Sequence, residues 1–242
     1  MFASKIQVFQ ILPKPSKLYE LETYWNGAQI VDIAGDLNSC ILATCSRAQG
    51  QVKVIELGSA KGKHRPYTNI IAAHTSHLVC IAVSPNGTYI ATASRTGTLI
   101  RIFGARTGIL HHELRRGADN ATIYSLAFDR DSERLCAVSD TGTLHVFLLT
   151  VGTHNADTAN RQSAFNPVQT VLPKYFSSDW SFAFMSLPKP TKSLVRFSNS
   201  DPAYIYAACA DGGLYKFHYD LVNGKQGSLV SFRRFDIDAD GL

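Results

Sequence analysis

Two adjacent arginines, Arg115 and Arg116, are the residues of this sequence best suited to hold an anionic ligand. Each guanidinium presents a planar fork of hydrogen-bond donors that matches the oxygens of a phosphate group. Because successive residues of an extended strand point to opposite sides, the two arginines are expected to face different neighbours. Gly117, which follows them, permits a sharp bend and a close backbone approach to a ligand. The doublet therefore predicts two anion contacts, one on each side of a strand.

Similar polar motifs flank the doublet on both sides. The upstream motif, Ser-x-x-Gly-Thr-x-x-Arg, contains Ser94, Thr98 and Arg101. The downstream motif, Ser-x-x-Gly-Thr-x-His, contains Ser139, Thr143 and His145. His74 could add a donor to the upstream set. Hydroxyls beside a glycine also commonly stabilise turns, so a structural role remains open for each of these residues.

The elements that must position these side chains are short β-strands. Runs rich in β-branched and aromatic residues alternate with Gly, Asn, Asp and Ser turns, whereas helical periodicity is hard to find. One element, a turn that often contains glycine followed by an alternating strand, recurs at intervals of about 45 residues, close to the period of a WD40-type blade. Its first four copies, at residues 5–9, 50–57, 97–103 and 142–147, keep this interval, and a last copy lies at 213–217.

Two further strands precede the copies in the middle of the chain, at 78–83 and 89–94 and at 123–128 and 134–139. This order is typical of a four-stranded blade whose core forms only when blades stack. We therefore predict an all-β WD40-type β-propeller of about four blades and a fragment. A closed ring usually needs more blades, so residues 1–242 are expected to be one N-terminally incomplete propeller domain.

The repeat spacing is broken once, between Val146 and Lys216. The surplus residues fall at 151–178, which begin polar and then become apolar. A long insertion in a compact blade is usually functional or disordered. We predict a surface insertion loop at 151–171, and we expect the segment after Pro173 to pack as the outer strand of the blade.

The composition restricts the class of protein. Hydrophobic residues make up 45% of the chain and charged residues 18%, as in a folded domain. The net charge of +5 suits an anionic partner without establishing one. No run of 18 apolar residues occurs, so we expect a cytosolic protein whose membrane contact is peripheral. The odd number of cysteines and the lack of a CxxC pair favour small core thiols in a reducing compartment.

The motifs of the common enzyme classes are missing from the sequence. It contains no GxSxG, HExxH or P-loop pattern and no clustered set of metal ligands, so we predict no catalysis, no metal and no cofactor. His111 and His112 precede Glu113, but an alternating strand would separate such neighbours. The basic residues are dispersed and no aromatic-basic recognition motif occurs, so nucleic acid is not the expected partner.

The stretch from residue 90 to residue 147 resembles the PROPPIN family, the WIPI-type WD-repeat proteins of autophagy. The resemblance is carried by Ile-Ala-Thr-Ala-Ser-Arg-Thr-Gly-Thr-Leu-Ile-Arg-Ile-Phe at 90–103, Glu-Leu-Arg-Arg-Gly at 113–117 and Val-Ser-Asp-Thr-Gly-Thr-Leu-His-Val-Phe at 138–147. Leu114 before the doublet points to the LRRG subgroup of that family. The segments at 172–182 and 208–212 are similar to the same family, so the resemblance extends over nearly the whole chain.

The resemblance implies a seven-bladed fold that binds phosphatidylinositol 3-phosphate and phosphatidylinositol 3,5-bisphosphate at two sites. The first site would use His74, Thr92, Ser94, Thr98, Arg101 and Arg115. The second site would use Arg116, Ser139, Thr143 and His145. Gly97 and Gly117 would shape the backbone around these sites. The apolar part of the membrane-contacting loop would comprise Phe165, Val168, Val171 and Leu172.

The resemblance further implies a non-catalytic effector and scaffold in autophagosome formation, attached peripherally to phagophore, autophagosomal or endosomal membranes. Autophagy scaffold and lipid-transfer proteins would be its protein partners. If residues 5–9 align with an inner strand, about two and a half N-terminal blades of the family fold are missing. The alternative is a protein-only WD-repeat scaffold whose lipid binding is impaired because the ring is short.

Overall fold

The computed structural model describes residues 5–11, 14–22, 30–35, 40–57, 67–117, 119–149 and 179–235. Every regular element within these ranges is a β-strand. Short alternating segments bounded by glycine and polar turns favour strands over helices, and the predicted all-β class is confirmed. In the described part of the chain, no helix is long and apolar enough to cross a bilayer.

The strands form one two-stranded unit and four four-stranded blades, which we name A to E in chain order. Blade A contains β1 (Lys5–Gln10) and β2 (Ser16–Glu22). Blade B contains β3 (Val31–Gly35), β4 (Cys40–Cys45), β5 (Gln51–Leu57) and β6 (Tyr67–Ala72). Blade C contains β7 (Leu78–Val83), β8 (Tyr89–Ser94), β9 (Leu99–Gly104) and β10 (Leu110–Arg115).

Blade D and blade E follow the same plan and are joined at their outer strands. Blade D contains β11 (Ile123–Phe128), β12 (Arg134–Ser139), β13 (Thr143–Leu148) and β15 (Ala183–Ser186). Blade E contains β16 (Ser193–Phe197), β17 (Tyr204–Cys209), β18 (Gly213–Asp220) and β19 (Gly224–Arg234). Between β13 and β15 of blade D in sequence, β14 (Asp179–Trp180) pairs in parallel with β10 of blade C.

The core lies between the blades rather than within any one of them. Ile100 and Ile102 of blade C, for example, pack with Leu126 and Phe147 of blade D, and all four are buried. Equivalent apolar clusters join blade B to blade C and blade D to blade E. Burial of one such side chain stabilises the fold by about 1.5–3 kcal/mol. A single blade therefore lacks a core, as the stacking of repeats predicts.

The radial order of the strands corrects one expectation. The first strands of the four complete blades, β3, β7, β11 and β16, contact one another and lie nearest the axis. The recurring strand of the repeat is third from the axis in each of these blades. The alignment of residues 5–9 with an inner strand is therefore wrong, since these residues form β1, which pairs with β2 as an outer hairpin. Sequence spacing gives the repeat period but not the radial position of its strands.

The long insertion lies outside the described residues, which resume at Asp179. The loop at 151–171 and its apolar candidates Phe165, Val168, Val171 and Leu172 therefore stay predictions. In the described part of this region, the outer strand of blade D is β15, which begins at Ala183. For the described part of the segment after Pro173, the expectation of an outer strand of this blade is wrong, because Asp179–Trp180 pairs with blade C instead.

All five cysteines are unpaired thiols. Cys136 and Cys209 are buried, whereas Cys40, Cys45 and Cys80 are partly buried. Burial raises the pKa of Cys45 to about 11, which keeps this thiol protonated and poorly reactive near neutral pH. The cysteines thus serve mainly as small packing residues.

Candidate anion-binding site

The arginine doublet lies at the end of β10, where blade C meets blade D. Arg115 is the last residue of the strand and is paired with Leu99 on β9 and with Trp180 on β14. The Arg116 N–H donates to the Thr98 carbonyl at 3.3 Å. Only 5% of Arg115 and 9% of Arg116 is exposed, which is unusual for arginines and shows that the surrounding blades hold both side chains closely.

The two arginines belong to different inter-blade clefts. Cross-strand partners share one face of an antiparallel sheet, so Arg115 lies on the face that carries Leu99 and Arg101. Arg101 donates to the Ala73 carbonyl and therefore faces blade B. Arg116 acts electrostatically on His145 of blade D. The strand end thus directs Arg115 into the cleft between blades B and C, which we call the first pocket. It directs Arg116 into the cleft between blades C and D, which we call the second pocket.

The first pocket brings together His74, Thr92 and Arg101. The Nε2 atom of His74 lies 2.9 Å from Thr92 Oγ1, and the Thr92 hydroxyl donates to the Arg101 carbonyl at 3.3 Å. Because this hydroxyl donates its proton to the carbonyl, it accepts from His74, which places the proton of the neutral imidazole on Nε2. Burial, followed by the charge of Arg101, lowers the pKa of His74 to about 4.

The Arg101 guanidinium already has partners inside the protein. Its Nε donates to Glu113 Oε2 at 2.9 Å, and its Nη1 donates to the Ala73 carbonyl at 2.6 Å. These bonds hold the guanidinium in one orientation at the mouth of the cleft. A phosphate that binds here would share a positioned cation with Glu113.

Ser94 and Thr98 occupy the turn before β9. The Ser94 hydroxyl forms a hydrogen bond of 3.1 Å with Thr96 Oγ1, and Ser94 is 3% exposed. The Thr98 carbonyl accepts from the Arg116 N–H. Both residues therefore have a structural role in the turn, and a contact of either hydroxyl with lipid stays a prediction.

The second pocket contains Arg116, His145 and Ser181. The Nδ1 atom of His145 lies 3.1 Å from Ser181 Oγ, which fixes the orientation of the ring. Burial, followed by the charge of Arg116, lowers the pKa of His145 to about 4. Arg116 Nη2 donates to the Asp119 carbonyl at 2.9 Å. The pocket thus combines a cation with a neutral imidazole.

Two carboxylates moderate the charge of the second pocket. Burial lowers the pKa of Arg116, and the neighbouring Asp140 and Asp119 oppose that change. Ser139 is fully buried and forms a hydrogen bond of 2.9 Å with Thr141 Oγ1, so it repeats the turn geometry of Ser94. Thr143 begins β13 and is partly exposed, so its hydroxyl stays a candidate for a ligand contact.

Gly97 and Gly117 differ in whether the structure requires a glycine at their position. Gly97 has a φ of +64°, and an added Cβ would lie 1.5 Å from the Ala121 carbonyl oxygen. Gly97 therefore serves the packing of blade C against blade D. Gly117 has no such requirement, because an added Cβ would meet no heavy atom within 4 Å. The open space beside the doublet at Gly117 is compatible with the approach of a ligand.

Three residues of the two pockets were not among the sequence candidates. Glu113 pairs with Arg101, Ser181 orients His145, and Asp140 faces Arg116. Of these three, only Glu113 could have been assigned to the site from the sequence, because it lies two residues before Arg115 and therefore on the same face of an alternating strand. Across the described ranges, no three His, Cys, Asp or Glu side chains are grouped as metal ligands.

The fold and the site define an all-β propeller protein with basic residues in two adjacent inter-blade clefts. The sequence model of the PROPPIN family matches residues 8–168, and the chain belongs to this family. The chain is 38% identical to "SVP1-like protein 2" of Pichia angusta over 74% of its length, and 33% identical to "Autophagy-related protein 18e" of Arabidopsis thaliana over 85% of its length. Membership of this family agrees with the prediction of a non-catalytic protein.

The solved structure of Kluyveromyces lactis Hsv2 shares the fold with a TM-score of 0.74 at 21% identity. The match covers 96% of this chain and 69% of that one. The chain spans about half the length of the two curated relatives, since the alignments cover 50% and 52% of them.

Proposed function

We propose that this chain is a non-catalytic effector that binds 3-phosphorylated phosphoinositides, phosphatidylinositol 3-phosphate and phosphatidylinositol 3,5-bisphosphate, on a membrane surface. The observation that carries the proposal is the placement of Arg115 and Arg116 on opposite sides of one strand end. Each cleft receives one guanidinium, and each also holds a histidine with a lowered pKa. Such a pair of sites suits two separate headgroups rather than one.

Three weak attachments that act at the same time can hold a protein firmly on a membrane, because each one raises the effective concentration of the others. The two pockets would supply two attachments, and the insertion at 151–171 would supply the third. We further propose that the protein acts in autophagosome formation at phagophore, autophagosomal or endosomal membranes, with autophagy scaffold or lipid-transfer proteins as partners. The name of the Arabidopsis relative and the family membership support this role.

The test is flotation of the full chain with vesicles that contain either lipid or unphosphorylated phosphatidylinositol. The double variant Arg115→Ala/Arg116→Ala should lose binding to both phosphorylated lipids, whereas each single variant should retain part of it. The second doublet, Arg233–Arg234 on β19, provides a matched control, because Arg233→Ala/Arg234→Ala removes the same charge outside both pockets. Undiminished binding by the Arg115/Arg116 variant would overturn the proposal, and no binding by the parent chain would favour a protein-only scaffold.

A further inference from the structure

β19 differs from the other outer strands of the propeller. It has 11 residues, whereas β6 and β10 have six each and β15 has four. It pairs with β15 only at Lys225 and Gln226, so among the described residues its outer edge has no strand partner beyond that point. The edge of the shorter β10 is paired at two residues as well, Leu114 and Arg115, which lie opposite Asp179 and Trp180. Within the described ranges, blade E therefore presents a long open edge.

The backbone groups at this open edge can be identified from the register. The Phe235 N–H donates to the Gly212 carbonyl at 2.7 Å, so this pair is a hydrogen-bonded pair of the antiparallel ladder. Bonded and non-bonded pairs alternate, and no bulge interrupts the ladder from Ser231 to Arg234. The N–H and C=O groups of Phe232 and Arg234 therefore point away from β18. They form a template for one more strand.

The side chains along the same edge are apolar and exposed. Leu229, Val230 and Phe232 are 46%, 51% and 52% exposed. The ring of Phe232 lies 4.8 Å from Tyr215 of β18, which is itself half-buried against the core between blades D and E. An arriving strand would thus find apolar side chains next to unpaired backbone groups, which is the combination that strand addition uses.

The charge of β19 selects among possible occupants. The strand carries Lys225, Arg233 and Arg234 and contains no acidic residue. A second copy that paired antiparallel about the Phe232–Arg234 end would bring four arginines together, which electrostatic repulsion disfavours. A lipid interior is also disfavoured, because unpaired backbone groups are costly in hydrocarbon. An extended protein segment with apolar and acidic residues would pair with the backbone groups of the edge and would also complement its basic side chains.

We propose that the free edge of β19 binds an extended segment of a partner protein, rich in alternating apolar and acidic residues, by strand addition. The Phe232 and Arg234 backbone groups supply the hydrogen bonds. Leu229 and Phe232 supply the apolar contact, and Arg233 and Arg234 supply the preference for acidic residues. This site is separate from the two pockets and does not depend on lipid binding.

The experiment measures the binding of a fluorescent ten-residue peptide of alternating valine and glutamate to the full chain. The same peptide with lysine in place of glutamate is the control for charge and should bind at least tenfold more weakly. Peptide binding should protect the amides of Phe232 and Arg234 from hydrogen exchange. Arg115→Ala/Arg116→Ala should bind the peptide as the parent chain does, which separates this site from the lipid pockets.

Two substitutions at one position distinguish backbone pairing from a simple apolar contact. Phe232→Thr keeps the outward N–H and should weaken peptide binding about threefold. Phe232→Pro removes that N–H, which β18 does not use, and should weaken binding at least tenfold while thermal unfolding still shows a folded chain. Equal affinity of the two variants, or no binding of the glutamate peptide at millimolar concentration, would overturn the proposal. The proposal would also be overturned if the parent chain self-associates, or binds vesicles that lack phosphoinositide, and Phe232→Pro abolishes that behaviour.

Discussion

Arg101 and Glu113 lie directly opposite each other on β9 and β10 and form an ion pair with an Nε to Oε2 distance of 2.9 Å. The carboxylate holds the guanidinium in place, but it also competes with any phosphate for the same donors. The first pocket is therefore both preorganised and partly neutralised. The affinity of the proposed lipid site should depend on which of these two effects is larger.

Glu113→Gln tests this balance, because the amide keeps a hydrogen-bond acceptor near Arg101 and removes the negative charge. We expect a severalfold gain in affinity for vesicles with phosphatidylinositol 3-phosphate, measured by flotation at low ionic strength, and a smaller gain at high salt. Glu133→Gln, at an exposed position of blade D, is the control for net charge and should change little. A loss of affinity in Glu113→Gln would show that positioning of Arg101 outweighs competition.

Gly97→Ala and Gly117→Ala should have opposite consequences. The first places a Cβ against the Ala121 carbonyl at a positive φ and should lower the free energy of unfolding by about 1–3 kcal/mol or prevent folding. The second meets open space and should leave the unfolding midpoint in urea nearly unchanged. If Gly117 allows a headgroup to approach, its substitution should still reduce flotation. A stable Gly97→Ala protein would contradict the packing argument.

Thr92→Val removes a fully buried hydroxyl that bonds both His74 and the Arg101 carbonyl. The loss leaves the His74 Nε2–H without its acceptor, so we expect the free energy of unfolding to fall by about 1–3 kcal/mol. Calorimetry or urea unfolding measures this change. Ser181→Ala makes the corresponding change beside His145 at a more exposed position and should cost less. An equal decrease in the free energy of unfolding for Thr92→Val and Ser181→Ala would contradict the argument that burial of the hydroxyl determines the size of the effect.

The two pocket histidines predict a loss of stability in mild acid. Burial lowers the pKa of His74 and His145 to about 4, whereas an exposed histidine has a pKa near 6.5. Between these values the unfolded chain binds more protons, so the free energy of unfolding should decrease as the pH falls from about 6.5 to about 4. The upper bound is of the order of 3 kcal/mol for each histidine. In urea titrations, His74→Gln/His145→Gln should show a flatter dependence on pH over this interval.

Lowering the pH should also change the affinity for lipid, but it should strengthen binding whereas it weakens the fold. A phosphate beside either imidazole stabilises its protonated form and raises its pKa in the complex. Protons are then taken up on binding, so vesicle affinity should increase as the pH is lowered from 7 towards 5. Flotation across this range measures it, and His74→Gln/His145→Gln should remove the increase. Affinity that is independent of pH would indicate that phosphate does not contact the histidines.

The strand positions, the all-β class and the arginine doublet were accessible from the sequence because they depend on local patterns. Alternation of apolar and polar residues assigns each residue to a strand face, and glycine-bounded repeats give the blade period. The placement of Arg115 and Arg116 on opposite sides follows from the same alternation. The resemblance of residues 90–147 identified the family for the same reason, since its motifs are contiguous.

Tertiary structure decided what alternation does not encode, namely which strands stack and in what register. The ion pair of Arg101 with Glu113 depends on the pairing of β9 with β10, and the contact of His145 with Ser181 joins residues 36 positions apart. The radial order of each blade placed the recurring strand third from the axis, contrary to expectation. The open edge of β19 likewise follows from the limited reach of β15. These features arise from contacts between distant segments, which form only when the blades pack.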